Sequence, residues 1–269
     1  MDIERIDIDG TGVDCVDMDA VVQAADATIA ANRQCSIFAV NPEKIVAARR
    51  DAALRALLNA SEFLIPDGIG AVIAARLRGA ESIERVPGSE LMPNLCALAA
   101  RHRYRVYLFG ARADVNRSAA ERIGATYPGL VIAGRHHGFV GDAEMPALVE
   151  RINASTPQIV FVALGSPRQE QWIACHRAAL TANVIQGVGG TFDVIAGATK
   201  RAPPAWIKLN LEWLYRVATD PRRWRRQVAL ARFGARLLHD ALPPRRGKIV
   251  VARPTARQPR RDQGLRASC

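Results

Sequence analysis

Short and nearly continuous apolar runs alternate with longer segments of helical periodicity from residue 35 to about residue 190, and this alternation restricts the possible folds more than any other feature. The runs predicted as strands are CSIFAV (35–40), FLI (63–65), RVYLFG (105–110), LVIAG (130–134), QIVFVALG (158–165) and NVIQGVGG (183–190). The predicted helices cover about 42–60, 67–79, 88–102, 112–127, 142–155 and 167–180. Strands that are apolar throughout are typical of a parallel sheet covered on both faces. The sequence therefore predicts an α/β chain with a Rossmann-like parallel sheet and helices on both faces.

Polar residues and glycines that follow the predicted strands are candidates for a binding site, because ligands of open parallel sheets bind beyond the carboxyl ends of the strands. These candidates are Asn41, Asp67, Gly110, Ala111, Gln169, Gly187, Gly189, Gly190 and Asp193. Glycines and helix N-termini in such places can bind the phosphates of a nucleotide. A carboxylate on a strand-end turn, such as Asp67 in PDG, can act as a general base.

Each of the polar candidates also has a purely structural interpretation. Asp67 is typical of a Pro-Asp-Gly turn, and Asn41 before a proline is typical of a helix start. Gln169 fits an S-x-x-Q capping box in which Ser166 is the N-cap and a proline opens the helix. Arg85, in ERVPG, is by default a solvated loop cation. Taken singly, these structural interpretations are favoured.

Two patterns that could bind cofactors carry little weight. GVGG at 187–190 is too short for the dinucleotide fingerprint and lacks an acidic residue about 20 positions later, so use of NAD is not expected. The D-x-D pairs Asp7/Asp9 and Asp17/Asp19 are compatible with a metal-bound sugar nucleotide, but they precede the first predicted strand. We predict no metal and no cofactor.

The net charge of +11 is unevenly divided along the chain. Residues 1–200 contain 20 Lys and Arg against 22 Asp and Glu, whereas residues 201–269 contain 17 against 4. A nearly neutral body with a balance of −2 therefore carries an end segment with a balance of +13. This pattern indicates an appendage that binds an anionic surface or polymer.

The end segment divides further by composition. From residue 201 to 242, Trp206, Trp213 and Trp224 interleave with basic residues at helical spacing, as in helices that lie on a membrane surface. Residues 243–269 are basic and rich in proline, which predicts a disordered tail. We therefore predict a catalytic or binding domain over 1–200, a basic helical appendage over 201–242 and a disordered tail over 243–269. A body truncated after about residue 200 is expected to stay folded.

The N-terminus and the cysteines predict where the chain resides. MDIERIDIDG lacks the basic start and apolar stretch of an export signal, and the longest apolar runs fall far below the roughly 18 residues of a spanning helix. The five cysteines are widely spaced without a C-x-x-C pair, as expected of core residues in the cytosol. Adjacent Cys175 and His176 point about 100° apart on a helix, which argues against a nucleophile–base pair. We expect a cytoplasmic protein whose end segment makes it peripheral on a membrane surface.

Seven blocks in fixed order resemble one known family. They are NPEK (41–44), PDGIG (66–70), ERVPGSEL (84–91), YLFGA (107–111), GSPRQEQW (165–172), GVGGTFDVIAG (187–197) and RAPPAW...LEWLYR (201–216). Together they are similar to the WecG/TagA/CpsF glycosyltransferases, also called glycosyltransferase family 26, over nearly all of residues 5–235. Any one block alone would be a weak signature, whereas the ordered set is specific.

The resemblance implies an inverting, metal-independent transfer of a sugar from a UDP-sugar to a polyprenyl-diphosphate-linked sugar at the cytoplasmic membrane face. N-Acetylmannosamine-type transfer, as in wall teichoic acid synthesis, is favoured over the glucose transfer of some exopolysaccharide enzymes. Another sugar-nucleotide reaction on the same fold is an alternative. A nucleic-acid-binding protein is a less favoured one, because tryptophans among basic residues suit a lipid surface better than base stacking. A homo-oligomer is left open.

The resemblance also implies roles for individual residues. The base matches Asp67, and the conserved polar pocket matches Asn41, Arg85 and Gln169. Nucleotide contacts map near Gly110, Phe139 and Asp193, and the arginines of the membrane-docking appendage match Arg216, Arg223 and Arg226. One departure is Ala39, where the family often has Thr, and this lost hydroxyl leaves the identity of the sugar open.

Overall fold

The computed structural model describes residues 3–199, Pro203, Trp206, Phe233 and Gly234. Its strands are β1 (Arg5–Ile8), β2 (Thr11–Asp14), β3 (Cys35–Val40), β4 (Phe63–Pro66), β5 (Arg105–Gly110), β6 (Val131–His136), β7 (Ile159–Ala163) and β8 (Val184–Gly187). Its α-helices are α1 (Met18–Ala30), α2 (Pro42–Arg50), α3 (Ala52–Asn59), α4 (Ile69–Leu77), α5 (Gly88–His102), α6 (Ala113–Thr126), α7 (Met145–Ala154), α8 (Arg168–His176) and α9 (Thr191–Ile195).

Six parallel strands form the main sheet in the order β4-β3-β8-β7-β5-β6, and β1 and β2 form a separate antiparallel pair. Alternate residues of the strands β3, β4, β5, β7 and β8 enter different hydrophobic clusters: Phe38 and Val40 of β3 belong to one, and Cys35 and Ile37 to the other. Both faces of the sheet are therefore covered, as helices on both sides require. The predicted Rossmann-like α/β fold is confirmed.

The predicted elements between residues 35 and 190 are present, with one division that the periodicity did not indicate. The helix predicted over about 42–60 is two helices, α2 and α3, separated at Asp51. Asp51 has extended backbone angles, and its carboxylate accepts the amide hydrogen of Leu54 at 3.0 Å. An N-cap of this kind starts a new helix and ends the old one.

The helix after β7 begins differently from the prediction. Ser166 and Gln169 do not form a capping box: α8 begins at Arg168, its N-cap position is Pro167, and no side chain caps it. Gln169 is instead buried, with 3% of its surface exposed. Its side chain points into the protein, where it has other partners.

The strand pair at the N-terminus, together with α1, was not predicted, and it gives the D-x-D residues structural roles. Asp7 accepts the amide hydrogen of Gly10 in the turn between β1 and β2, at 3.0 Å. Asp17 caps α1 by accepting the amide hydrogen of Ala20 at 2.7 Å. Asp9 lies near the guanidinium of Arg78, at 3.6 Å. These acidic residues serve the turn, the helix cap and a surface ion pair.

The strand pair is fixed to the main sheet by a buried ion pair. Arg5 and Asp14 are direct partners in the β1–β2 register, and Arg5 Nε lies 2.7 Å from Asp14 Oδ1. Arg5 also donates to the carbonyl oxygens of Ser61 and Glu62, while Asp14 accepts the amide hydrogen of Leu64 at 2.8 Å. The pair therefore links β1 and β2 to the start of β4.

The cysteines of the described part are free thiols, two of which are fully inside the core. Burial raises the pKa of both Cys35 and Cys96 from 9.0 to about 12. Cys175 is partly buried, and burial lowers the pKa of the neighbouring His176. The prediction that the cysteines are buried core residues is confirmed for Cys35 and Cys96.

A pH-dependent loss of stability follows from the raised thiol pKa values. Between pH 9 and about 12 the folded chain keeps the proton of Cys96 while the unfolded chain releases it, so the free energy of unfolding falls as pH rises. The expected slope is about 1.4 kcal/mol per pH unit for this thiol. Urea titrations at several pH values should show a shallower decline in Cys96→Ala than in the wild type, and identical slopes would contradict the assignment.

Most of the predicted appendage (201–242) and the whole predicted tail (243–269) lie outside the described residues. Phe233 is an exception: only 5% of it is exposed, and it belongs to the same hydrophobic cluster as Phe38 and Val40. A body that ends near residue 200 therefore lacks one of its core side chains. Among the helices within the described residues, none is both long and apolar enough to cross a membrane.

Candidate active site

The strand order predicts a crevice at the carboxyl side of the sheet, meaning the side on which the parallel strands end. The connection after β5 leads outward to β6, whereas the connection after β7 leads the opposite way to β8. Ligands of open α/β sheets bind where neighbouring connections diverge in this manner. Helices α2, α4, α6 and α8 also begin on this side, so their positive dipole ends favour an anion there.

Asp67 leaves the sheet directly after β4 and is held by its backbone. Its amide donates to the carbonyl oxygen of Val40 at 2.8 Å, and the amide of Val86 donates to the carbonyl oxygen of Pro66 at 2.8 Å. The residue is half-buried, and α4 begins at Ile69. A turn role and the presentation of a carboxylate are therefore compatible, because bonds to β3 and to the irregular segment at Val86 fix the turn that carries Asp67.

Asn41 lies next to Asp67. Val40 and Pro66 are register partners in β3 and β4, so the residues that follow them leave the sheet side by side. The Asn41 side-chain oxygen accepts the amide hydrogen of Lys44 at 2.9 Å and caps α2. The helix-start interpretation of Asn41 is confirmed, and the cap places its side chain beside the Asp67 turn.

Arg85 is the second charged residue at this turn. It immediately precedes Val86, whose amide bonds to the end of β4, so its backbone is held close to Asp67. Its guanidinium lies 3.6 Å from the carboxylate of Glu90, and both side chains are partly exposed. Three of the four predicted catalytic residues are thus brought together at the ends of β3 and β4.

Gln169, the fourth predicted catalytic residue, is buried, and its side chain bonds to other residues of the protein. Its side-chain oxygen accepts the amide hydrogen of Gly189 at 2.9 Å, and its side-chain nitrogen donates to Glu170 Oε1 at 3.2 Å. A β-carbon on Gly187 would lie 2.7 Å from the Gln169 nitrogen, so a glycine is needed there. The glycines after β8 thus make room for Gln169 and bond to it.

A buried ion pair that the sequence did not predict adjoins the Gln169 side chain. Lys44 Nζ lies 2.7 Å from Glu170 Oε1, with 10% and 0% of the respective side chains exposed. The pair joins α2 to α8, and thereby the Asn41 cap to Gln169. Each residue lies within a candidate motif, Lys44 in NPEK and Glu170 in RQEQW. The two motifs are far apart in sequence, so no local pattern indicated that these residues form a pair.

The other half of the crevice is built around the turn after β5. Gly110 has φ +119°, and a side chain there would collide with the carbonyl of Ala163, so β5 and β7 approach closely where they end. Ala111 donates to the Ala163 carbonyl and accepts from the amide of Gly138, both at 2.8 Å. The buried amide nitrogen of Asn116 lies 3.0 Å from the Gly110 carbonyl oxygen and 3.1 Å from the carbonyl oxygen of His136. This turn is rigidly tied to the ends of β6 and β7.

Aromatic and charged side chains lie near that turn. Phe139, shortly after β6, is 69% exposed, more than Ile73 (49%) and Leu77 (45%). Arg112 forms a two-point ion pair with Asp114, at 2.9 and 3.2 Å, and this hydrogen bonding lowers the pKa of Asp114. The pKa of Arg112 is raised chiefly by that bond, with a smaller contribution from Asp193. Arg112 immediately precedes α6, and Asp193 lies in α9, which packs against α6.

The appendage arginines and a possible metal site are the remaining features to compare with the sequence analysis. Arg216, Arg223 and Arg226 lie outside the described residues, so their predicted contacts remain predictions. Within the part of the chain that the structure describes, no three His, Cys, Asp or Glu residues are grouped to hold a metal ion. What the described residues provide is a carboxylate on a fixed turn, helix N-termini directed at one crevice and an exposed aromatic ring.

Comparisons with known proteins agree on one family. The model of the "Glycosyl transferase WecG/TagA/CpsF family" matches residues 6–247. The chain is similar to N-acetylglucosaminyldiphosphoundecaprenol N-acetyl-beta-D-mannosaminyltransferases of Bacillus subtilis (strain 168), with 38% identity over 76% of this chain and 79% of the relative. The enzyme of the same name from Staphylococcus aureus (strain MRSA252) is 35% identical over 81% of this chain and 86% of the relative. Since the family model spans most of its length and these relatives align over most of theirs, the chain belongs to the WecG/TagA/CpsF family and is a glycosyltransferase.

Proposed function

We propose that the chain transfers an N-acetylmannosamine-type sugar from a UDP-sugar, with inversion at the anomeric carbon, to N-acetylglucosamine linked through a diphosphate to a polyprenol. The sugar and the acceptor follow the names of the Bacillus and Staphylococcus relatives. The observation that carries the proposal is Asp67, a half-buried carboxylate whose turn is bonded to β3 on one side and to the Val86 segment on the other. A rigidly held base is what a single displacement requires.

Asp67 takes the role of general base. The acceptor hydroxyl attacks the anomeric carbon as the bond to UDP breaks, and the carboxylate removes the hydroxyl proton in the same step. Attack on the face opposite the leaving group inverts the configuration. Asn41 and Arg85 are proposed to bind the polar groups of the sugars, and the position of their backbones on either side of the Asp67 turn supports this role.

The departing UDP gains negative charge on its diphosphate, which must be stabilised in the transition state. The N-termini of α2, α4, α6 and α8 supply positive dipole ends on this side of the sheet. The exposed ring of Phe139 offers a surface on which a uracil base can stack, and Asp193 can accept hydrogen bonds from the nucleoside. We therefore propose that transfer needs no metal ion.

The direct test is transfer from a panel of UDP-sugars to a synthetic diphosphate-linked N-acetylglucosamine acceptor in EDTA. The donors are the UDP derivatives of N-acetylmannosamine, its uronic acid, glucose and N-acetylglucosamine. Product from the N-acetylmannosamine donor, with inverted configuration, supports the proposal. Product from another donor alone would overturn the choice of sugar, and product only on addition of a divalent metal would overturn the metal-independent mechanism.

The appendage arginines are expected to act on the diphosphate of the donor or of the acceptor. Arginine binds phosphate oxygens through two parallel hydrogen bonds, so Arg216, Arg223 and Arg226 suit this role. Replacing all three with Gln in the full chain should lower transfer by about a hundredfold. Kinetic assays with the lipid-linked acceptor would measure the loss.

The matched control removes the same charge elsewhere in the end segment. Arg253, Arg257 and Arg260, in the predicted tail, are replaced with Gln in a second variant, which should retain nearly full activity. An equal loss in both variants would assign the effect to net charge and contradict a specific role for the appendage arginines.

A further inference from the structure

One continuous set of polar contacts connects three strand ends of the site. Lys44 in α2 bonds to Glu170 in α8 at 2.7 Å, Glu170 accepts from the Gln169 side chain at 3.2 Å, and Gln169 accepts from the Gly189 amide at 2.9 Å. Asn41 joins the set because it accepts the amide hydrogen of Lys44. The set therefore runs from the residue beside Asp67 to the glycine turn after β8.

The charges in this set determine how the Gln169 amide is oriented. A carboxylate only accepts hydrogen bonds, so the amide nitrogen of Gln169 must face Glu170. Its oxygen then faces the amide hydrogen of Gly189. The reversed orientation would place two acceptors against each other on one side and two donors on the other. Glu170 thus makes one orientation of Gln169 favourable and the other strongly unfavourable.

Stability alone does not account for this arrangement. Glu170 is fully buried, and its second oxygen, Oε2, has no hydrogen-bond partner among the residues that the structure describes. A buried ion pair with an unsatisfied oxygen is commonly no more stabilising than apolar side chains of similar size. Such costs are typical of groups that serve a functional site.

We propose that the Lys44–Glu170 pair is a positioning device for donor binding: it orients Gln169, which holds the Gly187–Gly190 turn at the position that the donor nucleotide requires. This inference rests on the proposed function and extends it, because it adds the Gly187–Gly190 turn to the binding site of the proposed UDP donor. Lys44, Glu170 and Gln169 are positioning residues, because all three are largely buried and their observed contacts are with the protein itself.

The test separates positioning from simple stabilisation by removing both charges together. The double variant Lys44→Met/Glu170→Leu leaves no unpaired charge, so its thermal unfolding should remain close to that of the wild type. It nevertheless lacks the acceptor that orients Gln169. We expect faster hydrogen exchange at the Gly189 amide, measured by NMR, and binding of UDP weakened by about tenfold to a hundredfold in calorimetry. KM for the UDP-sugar should rise while KM for the acceptor stays within about threefold, because the acceptor side at Asp67 keeps its own backbone bonds.

A second ion pair supplies the control. Arg177 and Glu62 are also 2.7 Å apart. They lie at the end of the sheet where β3 and β4 begin, whereas the site lies where the strands end. The variant Arg177→Met/Glu62→Gln should leave both Gly189 exchange and UDP binding unchanged.

Each result decides the proposal. Unchanged Gly189 exchange in the Lys44/Glu170 double variant overturns the orienting role, and faster exchange with wild-type affinity for UDP overturns the link to donor binding. If the wild type itself binds no UDP, the proposed UDP donor fails together with that link, while the exchange measurement still decides whether the pair orients Gln169.

Discussion

Asp67→Asn should lower sugar transfer by about 10²- to 10⁴-fold while leaving the fold intact. Asparagine has nearly the same shape and keeps the backbone bond from residue 67 to the Val40 carbonyl. It cannot take a proton from the acceptor hydroxyl. The expected loss is therefore in kcat, with little change in the affinity for UDP.

Transfer rates in EDTA, together with circular dichroism and UDP calorimetry, would measure this effect. Asp51→Asn is the matched control: Asp51 caps α3, it is not one of the predicted site residues, and Asn is an equally good N-cap. The control should keep full activity. If Asp67→Asn also did, Asp67 would be a turn residue and another group would have to act as the base.

Asp14→Asn should lower the free energy of unfolding by about 3–5 kcal/mol, because it leaves the buried guanidinium of Arg5 without its charged partner. Arg5 and Asp14 are 3% and 0% exposed, so water does not replace the lost interaction. The same change also weakens the bond that Asp14 makes to the Leu64 amide. Urea denaturation followed by circular dichroism would measure the difference.

Asp7→Asn provides the comparison within the same strand pair. Asp7 accepts from the Gly10 amide in the partly exposed β1–β2 turn, and Asn forms the same kind of turn. Its expected effect is within about 0.5 kcal/mol. Comparable losses in both variants would mean that the turn, and not the buried charge, dominates the stability of this region.

The core of the fold was predictable because its strands are apolar throughout. CSIFAV and RVYLFG were predicted at the bounds that β3 and β5 have in the structure. The strands β1 and β2 were not, because RIDI and TGVD are short and interrupted by charged residues. Their burial depends on the Arg5–Asp14 pair, which is a tertiary contact with no local periodicity.

The positions of the site were predictable, whereas the partners of its residues were not. Asn41 and Asp67 follow apolar runs, and the rule that ligands bind beyond parallel strands was enough to select them. Gln169 follows β7 as predicted, but its predicted capping box does not form. Lys44 and Glu170 are separated by 126 positions, so only the folded chain brings this pair together.

The Arg5–Asp14 pair has a consequence for association between molecules. β4, the strand that leads into Asp67, lies at the edge of the six-stranded sheet, and the unpaired backbone groups of such a strand can join a strand of another chain. Here the Asp14 carboxylate accepts the amide hydrogen of Leu64, and the Arg5 guanidinium donates to the carbonyl oxygens of Ser61 and Glu62. These side chains bond to one amide of β4 and to the two carbonyl oxygens just before the strand, where a neighbouring strand would otherwise bond. The pair therefore blocks part of the edge that leads into Asp67 and opposes edge-to-edge aggregation there.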